Sequence, residues 1–378
     1  MLGGGIPIGK VFGISLRLHY SWFFIFALIT WALAASYFPS AYPSWSLALK
    51  IGAGVLTSFL FFASVLAHEL MHSLVAKSEG IPIRSITLFI LGGVSEITEE
   101  PKLPKDEFKM AIAGPLTSLV IGGILWGISY ALRDTTVIAG QFVAGVTYWL
   151  GLINLLLGGF NLIPGFPLDG GRVLRSLLWW RSGNLKSATR IASSIGRIVG
   201  FLFIFYGIYL FFTGQWFNGI WFALIGWFLE SAASGSYRQL LLQDLLKGHV
   251  AGDIMSRDCL VVSPDITIDK LVNEQFLSSG RRCYPVTEGS RVEGMVTLDN
   301  IRTVPREQWN AKRVREIMTP LAKLKSVQPN EDLNTVLKIL AQNDINQVPV
   351  VYEDQIVGMV SRDNIIAFIN AKRELGGS

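Results

Sequence analysis

Six apolar runs in the first 230 residues most limit what this 378-residue chain can fold into. About 20 predominantly apolar residues let a helix cross a bilayer, and a helix satisfies its backbone polar groups internally, as lipid requires. The opening segment has no apolar core, so we expect no removable signal peptide. The sequence therefore predicts about six transmembrane helices, the last two of them short: Tyr20–Tyr37, Ile51–Val75, Phe108–Leu132, Val143–Phe160, Ile198–Phe212 and Trp216–Leu229.

Basic residues are distributed unevenly among the segments that connect these runs. Gly170–Arg197 holds six Lys or Arg and no acid, whereas Phe38–Leu49 holds neither Lys nor Arg. Lys and Arg mark the cytoplasmic side of a membrane, so we expect a multi-pass cell-membrane protein with both termini in the cytoplasm. The net charge of +5 is modest, and its basic residues lie in these connections. We therefore expect a lipid bilayer, and no nucleic acid, as a partner.

A short motif near the end of the second apolar run indicates chemistry. His68 and His72 are four residues apart, so on a helix both imidazoles point from one face and can bind one metal ion. Glu69 is one residue further round and can reach a water on that ion. This is the H-E-x-x-H arrangement of zinc hydrolases, in which zinc acidifies the water and the glutamate takes its proton. The motif also occurs by chance in soluble helices, but ionisable residues in apolar helices are rare and usually functional.

Two histidines do not complete a catalytic zinc site, which usually has three protein ligands. Asp169 is the best third ligand, because it follows the fourth apolar run in the segment FNLIPGFPLDGGR. The distribution of basic residues places the ends of the second and fourth runs on the same side of the membrane, so Asp169 and the histidines share one depth. Asp169 is also typical of a helix cap or a turn, and that role is compatible with binding a metal.

The two motifs together, H-E-x-x-H and a later N-x-x-P-x-x-P-L-D-G-G-R, resemble the site-2 protease family of intramembrane metalloproteases. The resemblance covers about residues 4–175. It implies hydrolysis of membrane-associated protein substrates in regulated intramembrane proteolysis, with Glu69 as the catalytic base. It also implies one zinc ion per chain, bound by His68, His72 and Asp169.

Asn161 matches the asparagine of the family's second motif. The resemblance implies that its amide holds the substrate or the oxyanion, as a donor beside a polarised carbonyl would. A helix-capping role is the alternative.

Two further segments match the same family. Thr87–Val94, TLFILGGV, resembles a membrane-embedded β-hairpin with Gly92 and Gly93 at its turn, and the strand edge is implied to bind an extended substrate. An ordinary hairpin is the alternative. Ala113–Pro115 matches the Gly-Pro pair at the start of the third span. The family commonly has Asn three residues after this proline, where the chain has Ser118, and this weakens any role expected at that position.

The last third of the chain is an internal repeat. Pro285–Val286 recurs as Pro349–Val350, and Gly294–Ile301 recurs as Gly358–Ile365, both 64 residues later. Each copy is typical of a helix, a strand ending in Pro-Val, and then a turn, a strand and a helix. Repeats of this kind usually stack, because neither copy can bury its apolar face alone.

This repeat resembles a tandem pair of CBS domains over about residues 250–369. The resemblance implies an adenine nucleotide such as ATP or AMP between the copies, held at Thr297, Asn300, Ser361 and Asn364. The family motif has Asp where this chain has Asn300 and Asn364, and asparagine lacks the charge-assisted bond to ribose. A packing or homodimerisation module is therefore an equal alternative.

The predicted fold is thus a helical polytopic membrane domain with an embedded β-hairpin, followed by an α/β pair of CBS domains. The linker is expected to begin flexible and to end as a short amphipathic helix. The four predicted parts are a metalloprotease domain at residues 1–233, a linker at 234–249, and CBS domains at 250–310 and 311–378.

Two other functions compete with a protease. A CBS-regulated channel or transporter would also combine apolar spans with this repeat, but it gives no reason for H-E-x-x-H aligned with a distant aspartate. An inactive relative would lack ligands or the base, whereas His68, His72, Asp169 and Glu69 are all present.

Overall fold

The computed structural model describes residues 5–90, 92–97, 100–258, 260–279, 282–289, 291–353 and 355–375. The chain divides into two compact units, Met1–Arg238 and Gln239–Ser378. The first helix, α1 Ser21–Ala32, continues through a π-helical turn, Leu33–Tyr37, into α2 Phe38–Ala41. The helices of the first unit are α1 Ser21–Ala32, α2 Phe38–Ala41, α3 Leu47–Ser78, α4 Pro104–Leu132, α5 Ile138–Asn161, α6 Asp169–Ser182, α7 Leu185–Phe212 and α8 Trp216–Leu246, the last of which contains the boundary between the units.

Five helices in the described part of the chain are long and apolar enough to cross a membrane. They are the continuous segment Ser21–Ala41, α3, α4, α5 and α7, and they coincide with the first five predicted spans. The prediction of a sixth span is not confirmed. Residues 216–229 are helical and belong to α8, which continues past them through the charged residue Glu230. Helix α8 is not among the helices of the described residues that are long and apolar enough to cross a membrane.

The segment expected to begin as a flexible linker is helical instead. Helix α8 continues through Ser234 and Ser236 to Leu246. The Ser234 hydroxyl donates to Glu230 Oε1 at 2.7 Å, and the Ser236 hydroxyl donates to the Ala232 carbonyl at 3.0 Å. These local bonds satisfy the small polar side chains inside the helix, which explains why they do not end it.

The ends of the long helices follow from local sequence. Ser46 caps α3, where its hydroxyl accepts from the Leu49 N–H at 3.3 Å, and Asn184 caps α7 by accepting from the Ser187 N–H at 2.9 Å. Pro104 occupies the first turn of α4, a position that does not need its missing N–H. Each cap satisfies donors that a helix leaves without a partner.

Helix α4 packs against α3, α5 and α6, and small residues let it approach closely. A Cβ atom on Gly122 would lie 2.8 Å from the backbone nitrogen of Leu155, and one on Gly151 would lie 2.7 Å from that of Trp126. Glycines at such positions allow helix backbones to pack tightly in a membrane, where lipid supplies no hydrophobic drive for association. The helices that carry the predicted motifs therefore form one tightly packed group.

A four-stranded sheet with the order β1-β2-β3-β4 lies in the same unit. The pairs β1/β2 and β3/β4 are antiparallel, and β2 runs parallel to β3. The predicted hairpin is present as β3 and β4, with Leu91 of its motif outside the described residues. The first hairpin was not predicted. The strands are β1 Ile6–Val11, β2 Ile14–Leu18, β3 Ile83–Phe89 and β4 Gly92–Ile97.

The second unit shows the predicted repeat directly. Each copy contains an antiparallel hairpin with a register shift at the same place, after Val286 in one and after Val350 in the other. The strands are β5 Cys283–Glu288, β6 Arg291–Thr297, β7 Thr319–Pro320, β8 Gln347–Tyr352 and β9 Gln355–Ser361. The helices are α9 Ala251–Ile254, α10 Ile268–Lys270, which continues through a π-helical turn Leu271–Phe276 into α11 Leu277–Ser279, α12 Leu298–Arg302, α13 Val314–Ile317, α14 Leu333–Gln342 and α15 Arg362–Glu374. Single 3₁₀ turns lie at Arg306–Gln308 and Leu321–Lys323.

The two copies exchange their first segments. Ala251, which begins the first copy, is buried in the core formed by residues 327–369. Val314, which begins the second copy, is buried in the core formed by residues 262–304. Strand β7 pairs with β6, so the exchange also extends the sheet. Each copy therefore completes the core of the other, which makes the pair a single folding unit.

Candidate metal centre

Three side chains from two helices converge at one point in the first unit. Nε2 of His68 and Nε2 of His72 lie 3.1 Å apart, and each lies 3.2 Å from Oδ2 of Asp169. One ligand atom from each residue lies within 4.8 Å of the others. Both histidines are buried, and Asp169 is half-buried. Two imidazole nitrogens and one carboxylate oxygen make a donor set suited to zinc.

Glycine at position 114 keeps the space beside these nitrogens open. Gly114 lies on α4, and a Cβ atom there would overlap His72 Nε2 and would lie 2.6 Å from His68 Nε2. Any side chain at position 114 would therefore collide with the two ring nitrogens that would bind a metal. This observation indicates that the residues present fit a bound metal ion.

The other ring nitrogen of each histidine is also held. Nδ1 of His72 donates to the Met110 carbonyl at 2.6 Å, and Nδ1 of His68 lies 2.9 Å from the hydroxyl oxygen of Ser118. Ser118 is fully buried on α4. Because the Met110 carbonyl can only accept, it fixes the tautomer of His72 and leaves Nε2 with its lone pair for a metal, while the Ser118 hydroxyl fixes the ring orientation of His68. Because the family commonly has asparagine where this chain has Ser118, we expected a weaker role for this position. The contact between Ser118 and His68 corrects that expectation.

Asp169 is the first residue of α6, so it combines the two roles considered for it. The carboxylate lies in the first turn of the helix, where the helix dipole favours negative charge. Burial raises the pKa of this carboxyl, the two imidazoles lower it more, and the resulting pKa is well below its usual range. Gly170 and Gly171 follow, and a side chain on either would overlap the backbone of residues 162–166. The Leu-Asp-Gly-Gly sequence therefore lets α6 begin directly against the preceding loop.

A buried ion pair ties α6 to α4. Arg175 donates from Nε to Glu107 Oε1 at 2.8 Å and also contacts this oxygen through its terminal nitrogen. Nε of Arg172 lies 3.7 Å from the same oxygen. Glu107 is fully buried, and its second oxygen has no hydrogen-bond partner among the described residues. Since α6 carries Asp169 and α4 carries Ser118 and the Met110 carbonyl, which hold the two histidines, this ion pair holds Asp169 in place relative to the groups that hold His68 and His72.

Glu69 lies beside the ligands and is held by two serines. The Ser95 hydroxyl donates to Glu69 Oε2 at 3.0 Å, and the Ser73 hydroxyl donates to Ser95 Oγ at 3.1 Å. Ser73 lies one turn after Glu69 on α3, and Ser95 lies on β4. This chain of hydrogen bonds orients the carboxylate and leaves its other oxygen, Oε1, available.

Strand β4 passes directly by Glu69. A Cβ atom on Gly93 would overlap Glu69 Cγ, so only glycine allows the strand to lie this close. Gly92 has φ +131°, a conformation that side chains rarely adopt. Within the described residues β4 pairs with β3 alone, so its other edge is unpaired. The structure thus brings Gly93 against the candidate base, and both predicted glycines lie on the strand with the free edge.

Asn161 is placed differently from the other predicted residues. It is the last residue of α5, half-buried, and its side chain makes no hydrogen bond within the described part of the chain. Within the described residues, the side chain of Asn161 therefore forms neither a helix cap nor a hydrogen bond with His68, His72 or Asp169. Its role with substrate stays a prediction.

Comparison with known proteins agrees with this geometry. Residues 56–140 and 135–206 match Peptidase family M50. A Mycobacterium tuberculosis protein that carries the name zinc metalloprotease Rip3 is 32% identical over 370 residues, which cover 97% of this chain and 93% of that protein. A zinc metalloprotease of Methanocaldococcus jannaschii is 31% identical over 381 residues, covering 98% of each. The chain belongs to the site-2 protease family, peptidase family M50.

One solved structure of this family is also similar. The site-2 protease from Methanocaldococcus jannaschii is 33% identical and covers 62% of this chain and 95% of its own, with a TM-score of 0.41. Residues 251–307 and 314–371 match the CBS domain. The chain is therefore a membrane protein of the site-2 protease family with a tandem CBS pair, as its sequence predicted.

The predicted nucleotide residues cap two helices in this pair. Asn300 Oδ1 accepts from the Thr297 N–H at 2.9 Å and from its hydroxyl at 2.8 Å, while the Thr297 hydroxyl accepts from the Asn300 N–H. Ser361 and Asn364 form the same reciprocal box at the start of α15. Each box satisfies orphan donors at a helix start. The structure thus gives these four residues a structural role, and their contact with a nucleotide stays a prediction.

Sequence reasoning missed three residues that the site uses. Ser118 contacts His68, Ser95 donates to Glu69, and Glu107 holds the helix that carries Asp169. The sequence did offer one signal for Glu107: an acidic residue in the first turn of an apolar membrane helix needs a charged or polar partner. Serines give no comparable signal, because they occur throughout these helices.

Proposed function

We propose that this protein is an intramembrane zinc endopeptidase that cleaves membrane-associated protein substrates, as in regulated intramembrane proteolysis. The observation that carries the proposal is the meeting of His68, His72 and Asp169 beside Glu69 and the free edge of β4. His68 and His72 through Nε2, and Asp169 through a carboxylate oxygen, would hold one zinc ion. A zinc ion bound there supplies a Lewis acid that polarises the scissile carbonyl and lowers the pKa of water.

Glu69 provides the proton transfers of the reaction. Its carboxylate takes a proton from the attacking water as the water oxygen bonds to the carbonyl carbon, and it then returns the proton to the amide nitrogen as the C–N bond breaks. Ser95 holds Glu69 Oε2, so we assign the proton to the other oxygen, Oε1. Asn161 is the proposed donor to the oxyanion or the substrate once substrate is bound.

The edge of β4 is the proposed binding site for the substrate backbone. A helical substrate hides its peptide bonds, whereas a segment that adds to a strand edge is extended and exposes them to attack. Gly93 lies against Glu69, so a strand added outside β4 would pass close to the base. Gly92 and Gly93 also leave this edge without bulky side chains.

We further propose that both termini and the CBS pair are cytoplasmic. The basic segment from Gly170 to Arg197 supports this placement, as does the exposed apolar surface of α8. Its exposed side chains suit a sixth crossing although the helix is less apolar than the other five: Phe217, Ile220, Trp221, Leu224, Trp227 and Phe228. Labelling a cysteine placed at Ser182 in intact cells tests this topology, because outside labelling would contradict it.

The decisive experiment uses the purified full-length protein in bilayer nanodiscs with a fluorescently tagged single-span protein as substrate. We expect cleavage by the parent protein, no cleavage by Glu69→Gln, and loss of cleavage with 1,10-phenanthroline that added zinc restores. Equal cleavage by Glu69→Gln and the parent would contradict the proposal. The same Glu69→Gln protein, used as a trap in cells, would identify natural substrates by co-purification.

The CBS pair is proposed to adjust this activity in response to an adenine nucleotide. Its exchanged first segments make the two copies one unit, so a ligand between them would act on both. A nucleotide changes proteolysis only if it binds two states of the protein with different affinity.

A further inference from the structure

A basic pocket lies between the first half of α7 and the later part of α8 within the first unit. Its volume is about 260 Å³. Three of its lining residues are arginines, Arg190, Arg197 and Arg238, and the others include Ser193 and Tyr237. All three arginines are exposed at its rim, and Ser193 is buried, with an exposed fraction of 2%. The pocket is separate from the metal centre and takes no part in the proposed reaction.

Helical spacing explains why these side chains converge. Arg190, Ser193 and Arg197 follow each other at intervals of three and four residues, so they lie on one face of α7. Tyr237 and Arg238 lie on the corresponding face of α8. The helices approach closely just beyond the pocket, where a Cβ atom on Gly200 would lie 2.8 Å from the Glu230 backbone nitrogen. This close packing fixes the two faces opposite each other.

The buried Ser193 is an independent sign of a ligand. Its hydroxyl has no hydrogen-bond partner among the described residues, although it is 98% buried and lines the pocket. Buried polar atoms are nearly always paired in native proteins, so an unpaired one needs an explanation. An oxygen of a bound anion would accept the hydrogen bond that Ser193 can donate.

The charges around the pocket indicate an anion with several oxygens. No carboxylate is among the lining residues, and within the described part of the chain the three arginines form no ion pair, while Arg197 donates to the Ser194 hydroxyl at 3.4 Å. The carboxylate of Glu230 accepts a hydrogen bond from the Ser234 hydroxyl and forms no ion pair with these arginines within the described residues. Guanidinium groups bind phosphate through two parallel N–H···O bonds, and several arginines can share its oxygens.

The surface next to the pocket shows where this phosphate would come from. One and two turns after Arg197, Phe201 and Phe205 are 47% and 64% exposed, and Trp227 on α8 is 63% exposed. Helix α7 is one of the helices able to cross a membrane. An arginine pocket directly followed by exposed apolar rings matches a lipid, with its headgroup in the pocket and its chains along the rings. Basic pockets between membrane helices on the cytoplasmic side bind anionic headgroups.

We infer that this pocket binds the phosphate of an anionic phospholipid of the cytoplasmic leaflet. The side of the membrane rests on the proposed topology, whereas the binding itself does not rest on proteolysis. Arg190, Arg197 and Arg238 hold the phosphate oxygens, Ser193 donates to one of them, and the acyl chains lie on Phe201 and Trp227.

The test is a titration of the purified full-length protein in detergent, read by native mass spectrometry. Dioctanoyl phosphatidylglycerol, dioctanoyl phosphatidylcholine and inorganic phosphate are each added to the parent and to Arg190→Gln, Arg197→Gln, Arg238→Gln and Ser193→Ala. Arg181→Gln is the matched control, because Arg181 is an exposed arginine of α6 outside the pocket. Thermal unfolding of each variant checks its fold.

We expect phosphatidylglycerol to bind the parent about tenfold more tightly than phosphatidylcholine, since arginine makes charge-assisted bonds to its phosphate and no choline cation opposes them. Each pocket arginine variant should weaken this binding about tenfold, and Arg181→Gln should leave it unchanged. Equal binding of the two lipids would overturn the inference, as would an equal loss in Arg181→Gln. Tight inorganic phosphate with no lipid preference would replace the lipid by free phosphate and overturn the lipid assignment.

Discussion

The hydroxyl oxygen of Ser118 lies 2.9 Å from Nδ1 of His68, on the side of the imidazole opposite to Asp169. Helix α4 therefore orients a ligand that α3 carries. Because Ser118 is fully buried, neither partner has water as an alternative, and the ring is held in one orientation. The candidate metal centre is thus built by three helices, although only two carry residues that could bind a metal.

Replacing Ser118 with alanine should weaken zinc binding by about 10- to 100-fold, the usual effect of removing a hydrogen bond to a ligand histidine. Competition with a chromophoric zinc chelator measures this affinity. Thr117→Val is the matched control, because the Thr117 hydroxyl donates to its own helix at Ala113 rather than to a ligand. Equal affinity in Ser118→Ala and the parent would show that the serine does not orient His68.

Replacing Glu69 with glutamine should lower cleavage by about 10²- to 10⁴-fold, because the amide cannot accept the proton of water. Glutamine has nearly the same shape, so the zinc content and the unfolding temperature should stay at the parent values. Metal analysis and a cleavage assay on the same preparation separate these effects. Cleavage near the parent rate would remove Glu69 as the base.

Replacing Gly114 with alanine should abolish zinc binding, because the new methyl group would occupy the space beside both Nε2 atoms. Gly123→Ala on the same helix is the control, since a Cβ atom there meets nothing within 4 Å. Gly123→Ala should keep full zinc occupancy by metal analysis. Full occupancy in Gly114→Ala as well would mean that the metal lies elsewhere.

The sequence was enough for the parts of this site that follow from spacing and charge. His68 and His72 are four residues apart, which is a property of one helix, and Asp169 followed from the membrane side of its connection. Ser118 and Glu107 could not be predicted in the same way, because their roles depend on which face of α4 meets α3 and α6. Close packing at glycines, such as Gly122 against α5, determines which face of α4 meets each neighbour. No local sequence pattern shows which glycines take part in such packing.

The N-terminal strands and the exchange between CBS copies were missed for a similar physical reason. Strand β2 is stabilised by parallel pairing with β3, about 70 residues away in the chain. The burial of Ala251 in the core of the other copy is likewise a long-range choice, because the residues that bury it lie at positions 327–369. Long-range pairing leaves no periodic pattern in the paired segment itself.

Replacing Glu107 with glutamine should destabilise the membrane domain by about 3–5 kcal/mol, because Arg175 would lose its buried counter-ion and keep only the exposed Glu100, whose Oε2 lies 3.9 Å away. Thermal unfolding in detergent measures the loss, and zinc affinity should fall with it, since α6 carries Asp169. Asp134→Asn is the control, because its pair with Arg133 is exposed and should contribute at most about 1 kcal/mol. Equal unfolding temperatures for both variants would show that the Glu107 pair does not hold α6.

The last prediction concerns the CBS pair and separates helix capping from nucleotide binding. Ser361→Ala removes the cap of α15 and should cost about 0.5–2 kcal/mol of stability in the second unit, with or without nucleotide. Asn364→Asp should keep the cap, because a carboxylate oxygen can accept the same bonds from Ser361. It should also strengthen ATP or AMP binding about five- to tenfold, since a carboxylate makes charge-assisted bonds to ribose hydroxyls.

Calorimetry of the full-length parent and Asn364→Asp with ATP and AMP measures this binding, and Asp363→Asn, the neighbouring exposed residue outside the box, is the charge control. Cleavage should change about 5- to 150-fold at sub-saturating nucleotide, the range of typical coupling free energies. A nucleotide that binds two states of the protein with equal affinity does not change their populations. Nucleotide binding without a change in cleavage would therefore contradict regulation by nucleotide. If neither ligand binds the parent or Asn364→Asp at millimolar concentration, the boxes are caps alone. If removing residues 250–378 then leaves cleavage unchanged, the CBS pair is a packing module.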